Sequence, residues 1–177
     1  MIDTEYLRYP IGKFVKPDSV SEQQLKDAIS YLKEFPIYLA QTVCSLTETQ
    51  LETPYRPGGW TVKEVVHHLA DSHMNMFLRF KLALAEESPT ISPYNESEWS
   101  KMEDYKLPVT IGLNLVSGVH SKLGALMDVM QTADFERTYF HPESKSYVPL
   151  IDVITFYKWH SEHHLAHIQH LMIQENW

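Results

Sequence analysis

The chain has 177 residues, 44% of them hydrophobic, with 15 lysines and arginines against 23 aspartates and glutamates and a formal net charge of -8. That length suits one domain around one core, and the apolar share excludes a disordered chain. The acidic surplus, with no basic stripe to offset it, excludes nucleic acid and anionic membrane surfaces as partners. No stretch approaches the roughly 18 apolar residues that span a bilayer. The opening MIDTEYLRYP lacks the apolar run of a signal peptide. The one cysteine, Cys44, cannot form an internal disulfide. A cytoplasmic location is expected. Cys44 itself falls in an amphipathic helix and reads as a small buried hydrophobe.

Four long helices are predicted, with no internal repeat. The first spans about Ser21–Ser45, with Leu25, Ile29, Leu32, Leu39 and Val43 as its stripe. Capping-box spacing fits Ser19 with Glu22 and Ser21 with Gln24. Pro36 is expected to kink or interrupt it. The second spans about Thr61–Ala85, opened by Gly58-Gly59 and a Thr61/Glu64 capping box. A proline- and aromatic-rich connection, Ser88–Pro108, should hold a short helix near Glu96–Met102. The third helix spans about Ile111–Met130. Thr138-Tyr139-Phe140 and Ser146-Tyr147-Val148 then flank a turn and could pair as a hairpin. The fourth spans about Leu150–Glu175, with Pro149 in its first turn, where a missing N–H costs nothing. The expected fold is an all-α four-helix bundle, a single domain over 1–177. Its long connections favour crossovers over a simple up-down order.

Five of the ten histidines fall within His160–His170. Residues four apart share a helix face, about 6 Å apart at Cβ, which suits two imidazoles on one metal. Two pairs meet this rule, His160/His164 and His163/His167. The apolar stripe of the fourth helix separates them. Counting about 100° per residue from Leu150, the stripe lies between about 300° and 60°. His164 falls inside it at about 320°, and His160 at its edge near 280°. His167 is intermediate. His163 and His170 point away, toward solvent or a partner subunit. The second helix offers His67, His68 and His73. Its stripe favours His73, places His68 on a flank and leaves the third ligand open. The zincin pattern is absent because Ser161 follows His160. A di-iron bundle needs two Glu-x-x-His motifs, and only Glu64-Val65-Val66-His67 matches.

The segments from Gly58 through Trp60, His67, His68 and Leu69-Ala70-Asp71-Ser72, and from Trp159 through His160 and His164 to His167, resemble the second- and fourth-helix motifs of the DinB superfamily. Tyr9-Pro10-Ile11-Gly12, Thr53-Pro54-Tyr55-Arg56, Asp71-Ser72-His73-Met74-Asn75 and Phe140-His141-Pro142 are similar to its YfiT-like branch of proposed metal-dependent hydrolases, related to bacillithiol transferases. The resemblance covers nearly the whole chain. It implies a four-helix bundle with one metal, zinc or nickel, on three histidines. The helix-two ligand of the family precedes Leu-Ala-Asp, which is His68 here; the helix-four ligands correspond to His160 and His164. A homodimer and a cytoplasmic location are implied too.

Three neutral imidazoles leave a coordination position open, as in catalytic zinc sites. Such a site activates water for hydrolysis or holds a low-molecular-weight thiol as thiolate for transfer to an electrophile. A non-enzymatic metal-binding or sensing module is the third reading. Glu64, Asp71 and Glu162 lie within helical reach of the ligands as candidates to orient them. His73, His120, Tyr94 and Trp99 are candidates to line a small-molecule pocket.

Overall fold

The computed structural model describes residues 4–177. A short helix, α1 (Thr4–Arg8), leads into an extended segment. The first long helix, α2 (Glu22–Val43), starts at the Ser21/Gln24 capping box. A one-turn helix, α3 (Glu48–Leu51), precedes α4 (Val62–Ala85), which starts at the Thr61/Glu64 box. The proline-rich connection holds α5 (Glu96–Trp99) and a 3-10 turn at Glu103–Lys106. Then come α6 (Val109–Met127), α7 (Thr132–Phe135), strands β1 (Thr138–His141) and β2 (Ser146–Pro149), and α8 (Leu150–Glu175). The strands pair antiparallel, with Tyr139 opposite Val148, as the expected hairpin. Phe140 also ties the proline-rich connection down: its N–H donates to Pro89 O at 2.8 Å and its carbonyl accepts from Ile91 at 3.1 Å.

The four long helices are α2, α4, α6 and α8. α2 packs on α6 and α8, and α4 packs on the same two. Around the bundle the order is therefore α2, α6, α4, α8. Two of the three sequential connections cross the bundle, α2 to α4 and α6 to α8; crossovers are present as expected, but the long Ser88–Pro108 connection joins the neighbours α4 and α6. Burial sorts into two apolar clusters. One holds Leu32, Met76, Phe80, Leu123, Ile154 and Tyr157. The other holds Phe35, Leu39, Val66, Leu69, Val116 and Leu165. Between them lies a layer where α4, α6 and α8 carry buried histidines in place of aliphatic side chains: His73, His120, His160 and His164, with His68 at its edge. A polar layer inside a bundle is costly unless its groups find partners.

Three expectations are corrected. α2 runs unbroken through Pro36. Proline removes the N–H that would bond to the carbonyl four residues back, but Leu32 O accepts instead from His120 Nδ1 at 2.5 Å. Cys44 is exposed, because α2 ends at Val43 and Cys44 caps it beyond the packed turn. His163 is buried, at 7% exposure. The N-terminal segment covers that face of α8: Tyr9 packs on His163, and Tyr6 stacks on the half-buried His170. Helical periodicity carries no information about a distant segment folding back.

Candidate metal centre

His68 on α4 and His160 and His164 on α8 converge in the bundle, with one ring nitrogen from each lying within 4.8 Å of the others. The i, i+4 spacing stacks His160 and His164 on one face of α8, their ring centroids 4.5 Å apart. α4 delivers His68 from across the bundle. The Nε2 atoms of His68 and His160 approach to 3.3 Å. Trp60, just ahead of the α4 cap, packs against the His68 ring at 4.5 Å and fixes its plane. All three rings are buried.

Burial penalises the charged imidazolium and keeps these rings neutral. It pulls His68 down to about 4, with a smaller contribution from His163. His160 and His164 are held well below the usual range, first by burial and then by their histidine neighbours. Neutral rings offer lone pairs at neutral pH. Two Nε2 lone pairs facing each other at 3.3 Å repel unless a proton or a cation lies between them. The Nδ1 atoms of all three rings are buried without hydrogen-bond partners. Three imidazole nitrogens are a donor set that fits a first-row divalent metal ion.

The remaining candidates take other places. His73 and His120 are buried in contact with each other, Nδ1 to Nε2 at 2.5 Å. His67 turns toward the 3-10 turn, its Nε2 3.1 Å from Leu107 O. His167 lies under the N-terminal segment, stacked on Tyr55 at 4.0 Å, with Nε2 3.1 Å from Arg8 O. None of the three carboxylates bonds to an imidazole of the cluster. Glu64 accepts from the Thr61 backbone in the capping box at 2.7 Å. Asp71 accepts from Tyr105 Oη at 2.8 Å. Glu162 pairs with Lys158 at 2.5 Å.

A cavity of about 220 Å³ reaches the cluster at His160, walled by Ser72, Arg79, Tyr94, Phe156 and Tyr157. A second, of about 400 Å³, shares Arg79, Phe156 and Tyr157 with it and extends under the hairpin to Tyr147. Trp99 and Tyr94 line a third beside Arg79. Sequence reasoning missed Arg79, Ser72 and Tyr157 as wall residues. Tyr157 did fall on the α8 stripe three residues before His160, but read as core; its hydroxyl donates to Ser72 O at 3.0 Å.

Fold and site together define a four-helix-bundle protein with a three-histidine cluster in its core. The chain belongs to the DinB superfamily, which matches residues 32–168. It is 45% identical over 172 residues, 97% of each chain, to YfiT of Bacillus subtilis (strain 168), named as a proposed metal-dependent hydrolase. A counterpart from Oceanobacillus iheyensis named in the same way is 44% identical over 170 residues, covering 96% of this chain and 98% of that one. The solved structure of Bacillus subtilis YfiT, described as a four-helix bundle of unusual topology, superposes with a TM-score of 0.93 at 44% identity, over 97% of this chain and 99% of that one. A mycothiol-dependent maleylpyruvate isomerase shares the fold at a TM-score of 0.61 and 14% identity, over 77% of this chain and 57% of the other. Among the described residues, no helix is long and apolar enough to cross a membrane.

Proposed function

We propose that the chain is a metal-dependent hydrolase whose single zinc or nickel ion is held by His68, His160 and His164. The observation that carries this reading is the convergence of three neutral, buried imidazoles on one point, next to a cavity that gives a small molecule access. A divalent ion on three neutral nitrogens keeps an open position and supplies Lewis acidity that brings the pKa of water toward about 7. The chain's own contribution is positional. His160 borders the cavity, so a substrate there meets the site from the α8 side. Phe156 and Tyr157 give the cavity an aromatic side, and Arg79, Glu96 and Glu143 line the rest of it with charges of both signs. The family resemblance supports a homodimer in the cytoplasm.

Elemental analysis of the purified protein and of His68→Ala, His160→Ala and His164→Ala tests the ligand set. One equivalent of metal in the parent and near none in the variants is expected; full occupancy in the triple variant sinks it. An ester and amide panel then tests hydrolysis, with turnover that stops on chelation as the expected result. If the loaded protein instead joins a low-molecular-weight thiol to an alkylating agent and leaves the panel untouched, it is a thiol S-transferase. Metal content without either activity makes it a binding or sensing module.

A further inference from the structure

Two buried histidines, His120 and His73, stand in series between α2 and the three-histidine cluster. The series begins at Pro36, which leaves Leu32 O without a helical donor. His120 Nδ1 lies 2.5 Å from that oxygen. A carbonyl only accepts, so His120 Nδ1 carries the proton. Burial pulls His120 down to about 4, so the ring is neutral and its Nε2 is a bare lone pair. His73 Nδ1 lies 2.5 Å from that Nε2 and therefore donates to it. His73 is fully buried, and a neutral imidazole that donates from Nδ1 has a bare lone pair at Nε2. That atom is buried with no hydrogen-bond partner.

The other end of the gap is His160. Its Nε2 faces His68, and its Nδ1 is buried with no partner. With Nε2 on a metal, a neutral His160 must hold its single proton at Nδ1. One orphan is thus an acceptor and the other a donor. The two rings lie 5.6 Å apart by centroid, against 4.8 Å for the bonded His73–His120 pair. Phe35, next to Pro36 in sequence, packs on both His73 and His120 and holds them in line.

We propose that His73 is a positioning residue that accepts a hydrogen bond from His160 Nδ1–H, and that its own tautomer is dictated through His120 by the carbonyl that Pro36 frees. Every ring from His120 to His160 then donates from Nδ1; His120 and His73 accept at Nε2, while His160 keeps its Nε2 lone pair for the metal. Such a bond fixes a ligand's tautomer and ring plane and raises its basicity toward the metal. The proposal rests on His160 as a metal ligand; the tautomers of His73 and His120 do not.

Long-range ¹H–¹⁵N spectra of the histidine rings in the zinc-loaded protein read the tautomers directly. Nδ1–H with bare Nε2 is expected at His73 and His120, and a hydrogen-bonded Nδ1–H at His160. Zinc affinity supplies the second readout. His73→Gln keeps a donor for His120 and an acceptor for His160, and should bind zinc within about threefold of the parent, whereas His73→Phe should bind 10- to 100-fold more weakly. An Nε2–H on His73, or unchanged zinc affinity in His73→Phe, overturns the proposal and leaves the metal site standing. If His73→Phe fails to fold, the parent's spectra decide alone. A protein that takes up no zinc or nickel overturns the metal reading of His160 and this proposal with it.

Discussion

The Nε2 atoms of His68 and His160 face each other at 3.3 Å, brought together from α4 and α8 across the bundle. Metal competes with protons for such lone pairs. Burial already holds His68 at about 4, so the folded site competes with few protons between pH 7 and 5.5. Zinc affinity should therefore fall much less over that interval than in a three-histidine peptide, whose rings protonate near 6.5. Competition titration with a chromogenic chelator at several pH values checks this. A loss as steep as the peptide's would mean the folded rings are not neutral.

The same burial makes the metal-free fold sensitive to acid. His120 and His163 sit at about 4, both through burial, against about 6.5 in an unfolded chain. Between those values the unfolded state binds more protons than the folded one, so stability falls as pH falls. It is fully present above about 6.5 and lost progressively toward 4. A shift of that size corresponds to about 3 kcal/mol for one fully buried ring. Urea midpoints of metal-free protein should drop steadily from pH 7 to pH 4.5. A flat profile would contradict the burial of this layer.

How much of this was legible in the sequence depends on how many neighbours each helix has. On α8 the apolar stripe placed His160 and His164 inward, and both are buried, but it turned His163 outward although every residue from His163 to Ile168 is buried. α4 is pressed between α6 and α8 and also meets β1 and the 3-10 turn, so every residue from Val65 to His73 is buried. A single apolar peak cannot rank His67, His68 and His73 there, and the family motif alone pointed to His68. Residues hidden by distant chain were illegible for a different reason. His163 faces away from the α8 stripe and is covered by Tyr9, a contact between residues more than 150 positions apart. The Pro36–His120 compensation has the same character: local rules predicted a kink or interruption, and the helix runs on with a side chain from α6 bonded to the freed Leu32 carbonyl.

Tyr157 ties α8 to α4 beside the cluster. Its hydroxyl donates to Ser72 O at 3.0 Å and lies 3.3 Å from Ser72 Oγ, all of it buried. Tyr157→Phe removes that hydroxyl and leaves the buried Ser72 Oγ–H without its acceptor, at a cost of about 1–3 kcal/mol, while Ser72 O keeps its donor in the α4 ladder. The ring remains, so the cavity wall keeps its shape. Chemical denaturation should register the loss, with metal stoichiometry unchanged. Stability equal to the parent would show that Ser72 finds another partner.

Gly112 sets the spacing between α6 and α4. A Cβ there would lie 3.1 Å from Val66 Cγ1, 3.3 Å from Val66 O and 3.4 Å from His67 Nδ1. The first two contacts are tighter than side chains normally accept, and one of them is backbone, which cannot rotate away. Gly112→Ala gains some helix propensity, up to about 1 kcal/mol, but overpacking a core contact costs about 1–3 kcal/mol. The net effect should be destabilising. The strain falls on the turn of α4 that carries His68, two residues beyond Val66, so it should also displace one of the three nitrogens. Zinc affinity should drop along with the thermal midpoint. Gly118 on the same helix has open space at its Cβ position, so Gly118→Ala is the matched control. It should raise the midpoint through helix propensity and leave zinc affinity alone. If the two variants behave alike, the α4–α6 spacing does not govern the site.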